Sequence, residues 1–310
     1  MAVPIDPTSL AFLLAESRSM PTHVAGLQLF EPPEDAPADF GRLLFERALE
    51  TQEIAPLFVK RPHHAIGTLG QWVWQEDKQF DLEYHVRHSA LPKPGRIREL
   101  LELVSRLHGT RLARERPLWE LHIIEGLEDG RLAIYTKLHH ALVDGISAMK
   151  LMQSVLTSDP DERDMPLPFD ARAIARTRKA REGADQRMHE VPADALRTAL
   201  GLTAEAAGLP AAFLKTLTMG IRNEASALSF HAPRSMFNVS ITGSRRVAAD
   251  QWPLERIRGI AQASRTTMND VVLAMCGGAV RRYLQDHNAL PDASLVAMVP
   301  VGLKSRKSDS

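Results

Sequence analysis

Disulfide chemistry is the first thing this chain does without. A single cysteine, Cys276, stands among 310 residues, which excludes a disulfide framework and suits a reducing compartment. It lies in the apolar run VVLAMCGGAV, where a thiol reads as buried and inert. Net charge is also missing: Lys plus Arg number 38 and Asp plus Glu number 38, so the basic excess of a nucleic-acid protein is absent and no nucleic-acid partner is expected. No hydrophobic run approaches a membrane span. The longest uncharged apolar stretch, Val271 to Val280, falls short of the roughly 18 to 20 residues that cross a bilayer. The start lacks the cationic head and long apolar core of a secretory signal, since LAFLLA is short and follows Asp6. A cytoplasmic chain, soluble or peripheral to a membrane, is therefore expected. Common enzyme signatures are missing too. There is no Gly-rich phosphate loop, dinucleotide fingerprint, G-x-S-x-G or paired-cysteine metal site.

What is present is an ordinary globular composition, 44% hydrophobic and 25% charged, at a length above the usual single domain of roughly 100 to 200 residues. DPTSLAFLLAES reads as a capped helix turning Leu10, Leu13 and Leu14 inward. A strand follows over His23 to Phe30, then a proline-rich surface loop and an amphipathic helix over Phe40 to Gln52 carrying Leu43, Leu44 and Leu49. PLFVKR reads as extended, Trp72 to Gln75 as a strand, FDLEYHV as an alternating strand, and Ile97 to Leu112 as a long helix. Asp129-Gly130 separates two apolar runs as a hairpin turn would. From Ser158 to about Val191 the composition turns polar and poor in large apolar residues, the mark of a linker. Within it, ARTRKAR reads as a solvated helical face or a site for an acidic headgroup or cofactor phosphate. Ala193 to Leu228 reads as helical, Asn238 to Val247 and Leu295 to Val299 as strands, and Pro253 to Ala263 and Asn269 to Gln285 as helices. In the last of these Val272, Cys276, Ala279 and Tyr283 share a stripe.

The chemistry concentrates in LAIYTKLHHALVDGISAMKLMQSVL, Leu132 to Leu156. Leu132, Ile134, Thr136, Leu138 and His140 alternate with Ala133, Tyr135, Lys137 and His139, so a strand running to its end sends the two imidazoles to opposite sides. After Gly145, the spacing of Ile146, Met149, Met152 and Leu156 predicts a helix packing that stripe on a core. Three readings of His139, His140 and Asp144 stand open. A metal site is disfavoured because adjacent strand residues diverge. The histidines can be satisfied polar groups with Asp144 as a helix cap. Alternatively, a neutral imidazole, with an ordinary pKa near ~6.5, takes a proton from a hydroxyl as general base.

HHALVDG at 139–145 matches the HHxxxDG signature of CoA-dependent acyltransferases, and ESRSMPTHVAGLQLF at 16–30, RPLWELHIIEGLEDGRLAIYTKLHHALVDG at 116–145, the Asn269-Asp270 pair and VAMVPVGLK at 296–304 resemble the bacterial wax ester synthase/diacylglycerol acyltransferase family. The resemblance runs through essentially the whole chain. It implies an α/β fold of layered α+β type, chloramphenicol-acetyltransferase-like, with two related domains: 1–158 carrying HHxxxDG, a linker over 159–192, and 193–310 as the first part of a second domain, incomplete here. It further implies acyl-CoA as co-substrate with no resident cofactor or metal, and diacylglycerol as acceptor, with a long-chain alcohol as the alternative. His140 would be the general base and His139 a positioning or acceptor-contact residue. Asp144 would be structural, paired with a cation, and Gly145 would permit a tight turn. Asn269 and Asp270 would support the site, Asn269 alternatively as a helix cap. Lys304 stands where the family usually has arginine, a point charge in place of a bidentate fork. Family members continue beyond residue 310, so an unpaired sheet edge is expected, to be met by a completing C-terminal partner chain or self-association; a non-catalytic lipid- or partner-binding module is the remaining alternative. Association with a membrane or lipid-droplet surface follows from the product expected of the family.

Overall fold

The computed structural model describes residues 3–64, 70–159, 161–177, 232–297 and 299. The chain divides into two compact units, Met1–His189 with Ile241–Ala249, and Glu190–Ser240 with Asp250–Ser310.

The first unit grows from the Asp129-Gly130 turn. Gly130 adopts φ +79°, a left-handed conformation that costs glycine nothing, and the Asp129 carboxylate accepts from the Arg131 amide at 3.1 Å. Strands β6 (Trp119–Glu125) and β7 (Leu132–His139) pair antiparallel across it, with Trp119 opposite Leu138 and Ile123 opposite Ile134. β2 (His23–Phe30) pairs antiparallel with the other edge of β7, and β5 (Val86–Ala90) runs parallel to β6, giving the order β2-β7-β6-β5. A smaller antiparallel sheet has β4 (Trp72–Glu76) between β1 (Val3–Pro4) and β3 (Lys60–His64).

Period-two alternation splits the four-stranded sheet between two cores. Trp119, Leu121, Ile123, Leu132 and Leu138 pack with Phe58, Phe169, Ala48 of helix α2 (Phe40–Leu49) and Leu151 of helix α5 (Gly145–Ser154). Ile124, Ala133 and Tyr135 face Leu100 and Val104 of helix α4 (Ile97–Gly109). Each fully buried Leu or Ile contributes about 1.5–3 kcal/mol, so the histidine-bearing strand is anchored from both sides. On the α4 face, Lys137 and Glu120 sit opposite in register with their charged ends 3.0 Å apart. The Lys137 ammonium also donates to the Leu107 and Thr110 carbonyls at 3.0 Å each, where the C-terminal end of a helix attracts a cation.

Several expectations need correction. FDLEYHV is not one strand: the Asp81 carboxylate accepts from the Glu83 amide and starts the one-turn helix α3 (Leu82–His85), and only then does β5 begin. That turn buries the His85 ring, whose Nδ1–H donates to the Trp119 carbonyl at 2.8 Å. In helix α1 (Pro7–Ala15) Leu13 is buried but Leu14 is 64% exposed, and in α2 Leu43 is exposed. The stripe of α5 is rotated from the one the spacing predicts: Ala148, Leu151, Met152 and Val155 meet the core, while Met149 and Leu156 are exposed. The polar segment after Ser158 is not wholly a linker, because Phe169 and Ala173 are fully buried in the first unit and 171–177 is helical. Arg176 of ARTRKAR pairs with Glu162 at 3.1 Å, and the rest of that run from Arg178 lies outside the described residues, as does Ala193 to Leu228.

Asn238 to Val247 forms no strand. Its later part crosses the first unit as irregular chain, with the Val247 amide donating to Ser105 Oγ at 3.0 Å. Described separately, the second unit holds helices α6 (Leu254–Ser264) and α7 (Met268–Asp286). Arg265, at φ +53°, ends α6, and a capping box between Thr267 and Asp270 starts α7. The expected stripe on α7 is not covered: Val272 and Tyr283 are exposed, and so is Cys276 against the buried thiol expected, while Val271 and Leu284 are buried. An apolar stripe specifies which residues would be buried together, not that a partner element covers them. Among the described residues of Leu295 to Val299 no strand forms.

Candidate active site

The two histidines part at the end of β7, which closes at His139. His139 is wholly buried. The Ala141 amide donates to its Nδ1 at 3.0 Å, so Nδ1 is the acceptor and the proton of a neutral ring sits on Nε2. Nε2–H faces Thr22 Oγ1 at 3.0 Å, and the Thr22 hydroxyl donates onward to the Phe12 carbonyl at 3.1 Å. Burial is the main cause that holds the His139 pKa down, to about 4. Glu16, 3.7 Å from Nε2, opposes it, while Arg114 and His140 reinforce it. Both ring nitrogens thus have protein partners, and His139 is neutral near pH 7. It can neither ligate a metal nor meet an acceptor without breaking these bonds. Its place is to position the turn, and the acceptor-contact role expected for it does not fit its burial.

His140 is different. Its backbone amide extends the sheet by donating to the Thr22 carbonyl at 2.9 Å. Its ring stacks on Phe12 of α1, centroids 4.0 Å apart and planes 20° from parallel. Nδ1 is buried and takes no hydrogen bond among the described residues. The residue borders a cleft of about 480 Å³ that Phe12, Leu57, Leu142 and Val143 make apolar and Asp6, Thr8, Ser9, Asp144 and Ser147 make locally polar. The ring is thus held by stacking, not by a hydrogen bond to Nδ1, and as general base it would have to work through the edge that meets the cleft.

Asp144 is the N-cap of α5. Its carboxylate accepts from the Ser147 amide at 2.9 Å and from the Ser147 hydroxyl at 2.7 Å, satisfying donors that the first helical turn leaves open. Gly145 is not needed for a tight turn: it is the first residue of α5, has no left-handed φ, and a Cβ there would meet nothing within 4 Å. In the second unit Asn269 lies within the first turn of α7. The cap is Thr267, against the cap role open to Asn269, and Asp270 supplies the returning carboxylate of the capping box. Lys304 lies outside the described residues. Among the described residues no group of three or more His, Cys, Asp or Glu side chains could hold a metal ion.

Four supporting residues carry no assigned role in the sequence reading: Phe12, Glu16, Thr22 and Arg114. Arg114 pairs with the buried Glu16 at 3.1 Å and caps the end of α1 through the Leu13 carbonyl. Glu16 and Thr22 do fall in the stretch at 16–30 that carries the resemblance. A carboxylate just after an apolar helix was the available signal, since it is buried only with a cation to meet it.

The chain matches the model of the wax ester synthase/diacylglycerol acyltransferase catalytic domain over residues 5–272. It is 48% identical over 301 residues to the probable diacylglycerol O-acyltransferase tgs2 of Mycobacterium tuberculosis, covering 97% of this chain and 64% of that one. The solved wax ester synthase/diacylglycerol acyltransferase from Marinobacter aquaeolei VT8 superposes with a TM-score of 0.74 at 43% identity, over 96% of this chain and 65% of that one. The first condensation domain of the calcium-dependent antibiotic synthetase, at a TM-score of 0.52 and 16% identity over 91% of this chain and 61% of that one, shares the fold alone. The fold is accordingly the α/β, chloramphenicol-acetyltransferase-like type, and the chain spans less than two thirds, 64%, of the length of the mycobacterial relative. With HHxxxDG at the end of β7 and a family match that runs over residues 5–272, this chain belongs to the wax ester synthase/diacylglycerol acyltransferase family.

Proposed function

We propose that the chain is an acyl-CoA-dependent O-acyltransferase of neutral-lipid synthesis, transferring a long-chain acyl group to diacylglycerol with His140 as general base. The observation that carries this reading is the place of His140 at the wall of a cleft, its ring held by stacking on Phe12, next to a histidine locked neutral. His140 removes the proton of the acceptor hydroxyl as its oxygen attacks the thioester carbonyl. The carbon–sulfur bond breaks, and the imidazolium returns the proton to the departing CoA thiolate. No covalent enzyme intermediate forms. Proton removal by a positioned base is worth about 100- to 10,000-fold, and holding both substrates in one cleft supplies proximity. Diacylglycerol as acceptor rests on the name of the mycobacterial relative. A long-chain alcohol giving a wax ester is the second reading, and the name of the Marinobacter structure carries both activities. Such acceptors place the enzyme at a cytoplasmic membrane or lipid-inclusion surface; no helix among the described residues is long and apolar enough to cross a membrane. The test is thiol release from palmitoyl-CoA with diacylglycerol or hexadecanol, for the chain and for His140→Ala. Acceptor-dependent release that falls at least roughly 100-fold in His140→Ala is expected. Release equal in the two proteins refutes the base assignment, and no release in either turns the reading to a binding module.

A further inference from the structure

The turn that carries Thr22 also borders a second, larger groove, of about 1040 Å³. Its walls are Ser17, Arg18 and Ser19 of the α1–β2 turn, the end of α4 from Ser105 to Thr110, and the crossing segment from Thr242 to Arg246. Of its twelve lining residues four are arginines, six carry hydroxyls and none is a carboxylate. In a chain whose cationic and anionic side chains are equal in number, a wall of one sign is a local arrangement and not a consequence of composition. Its backbone is pinned. Arg245 donates to the carbonyls of Thr242 at 2.7 Å, Ser244 at 2.9 Å and Ser19 at 2.9 Å, clasping the crossing segment to the turn. A Cβ at Gly243 would sit 2.9 Å from the Arg18 carbonyl oxygen, and one at Gly109 3.1 Å from that of Gly243. Those approaches leave room only for glycine without a local shift. With Arg245 engaged, Arg18, Arg106 and Arg246 remain, and none of the three forms an ion pair among the described residues.

Planar guanidinium forks with hydroxyl donors between them are the recognition set for phosphate oxygens, and a cleft of one sign concentrates ligands of the other. The position of the groove selects among phosphate ligands. Arg18 is four residues from Thr22, hence within about 14 Å along even a fully extended chain, and the Thr22 carbonyl is bonded to His140. A phosphate group held at Arg18 therefore lies on the same turn whose Thr22 carbonyl holds the His140 backbone, within the span of a flexible arm. We infer that this groove binds the nucleotide phosphates of the acyl-CoA donor through Arg18, Arg106 and Arg246. The inference rests on the acyl-CoA reading above and deepens it by assigning the donor's anchoring site.

Titration calorimetry of the whole chain with CoA, and with pantetheine, which keeps the arm but has no phosphate, reads the groove directly. The unaltered chain is expected to prefer CoA by at least roughly tenfold, and R18A/R246A to reduce that preference below roughly threefold. The preference should also weaken between about 50 and 200 mM salt. R18K/R246K keeps the charge without the fork and should give an intermediate preference, which separates lost anion recognition from lost fold. Equal affinity for CoA and pantetheine in the unaltered chain overturns the inference, as does a preference that R18A/R246A leaves in place. A double variant that keeps its CoA preference but no longer adheres to phosphatidylglycerol vesicles also overturns it, in favour of a lipid-headgroup site. Binding requires no turnover, so the groove is tested even in a chain without transferase activity. If His140→Ala abolishes thiol release while R18A/R246A retains the CoA preference, the groove fails and the proposed function stands.

Discussion

Replacing Glu120 with glutamine removes one charge from the α4 face of the sheet while keeping the shape of the side chain. Glu120 is 8% exposed at its side chain and Lys137 is 0% exposed. Burial alone would raise the Glu120 carboxyl, but the His122 hydrogen bond and the Lys137 charge outweigh it, with Arg87 adding, and hold the group at about 2 against an ordinary 4.5. That difference corresponds to about 3 kcal/mol of differential interaction. The Lys137 ammonium is lowered in turn, chiefly by its own burial and only partly offset by Glu120, so the two partners give different measures of the pair. The carboxylate's figure overstates the net gain, because it omits the cost of desolvating the ammonium. Glu120→Gln nonetheless leaves that ammonium buried with two carbonyls and an amide, and losing one partner of a buried pair typically costs about 3–5 kcal/mol. A loss of about 2–4 kcal/mol at pH 7 is expected, or roughly a 1 M drop in urea midpoint. Tryptophan fluorescence follows it, since Trp119 lies in the same sheet and is fully buried. The folded carboxyl lies below its unfolded value, so its contribution is fully present above about pH 4.5 and is lost as pH falls toward 2. The gap between native chain and variant should close over that window. A loss under about 1 kcal/mol at pH 7, or a gap that persists undiminished at low pH, refutes the argument.

His23 and His139 are both held down to about 4, by burial first. The unfolded state therefore takes up their protons first, and stability present above pH 6.5 should fall as pH drops from 6.5 toward 4. The urea midpoint of the native chain should be lower at pH 5 than at pH 7, and that difference should shrink in His139→Gln. Gly145→Ala should fold with its thermal midpoint unchanged or slightly raised, because the added methyl meets nothing and alanine favours helix; a drop of several degrees would show that the glycine is needed after all. Gly95→Ala, at φ +78° with its Cβ directed into the Gly126 carbonyl, should unfold the first unit at markedly lower temperature in a melting scan. Asp144→Ala removes the cap of α5 and should cost about 1 kcal/mol in urea titrations.

How far the sequence reaches differs from element to element. The hairpin at Asp129-Gly130, the strand over His23 to Phe30 and the helix from Ile97 follow from turn chemistry and from apolar periods of 2 and 3.6, which act over a few neighbouring residues. The pairing of two histidines with an aspartate and glycine is likewise local, and with the dispersed matching stretches it was enough to indicate the family that the comparisons bear out. FDLEYHV defeated the same reasoning because Asp81 caps a helical turn inside an alternating run, and Cys276 because an apolar stripe does not reveal whether anything covers it. Tertiary structure alone decided which histidine keeps a free nitrogen. That choice depends on the Ala141 amide, Thr22, Glu16 and Arg114, which gather around His139 from as much as 123 residues away along the chain. It also decided that Lys137 and Glu120 share a buried face, and that three unpaired arginines from a turn, a helix end and a crossing segment line one groove. Local sequence sets backbone propensity and the order of side chains along an element. Burial, ion pairing and a free ring nitrogen are properties of what arrives from elsewhere in the chain, and only the folded packing brings those groups together.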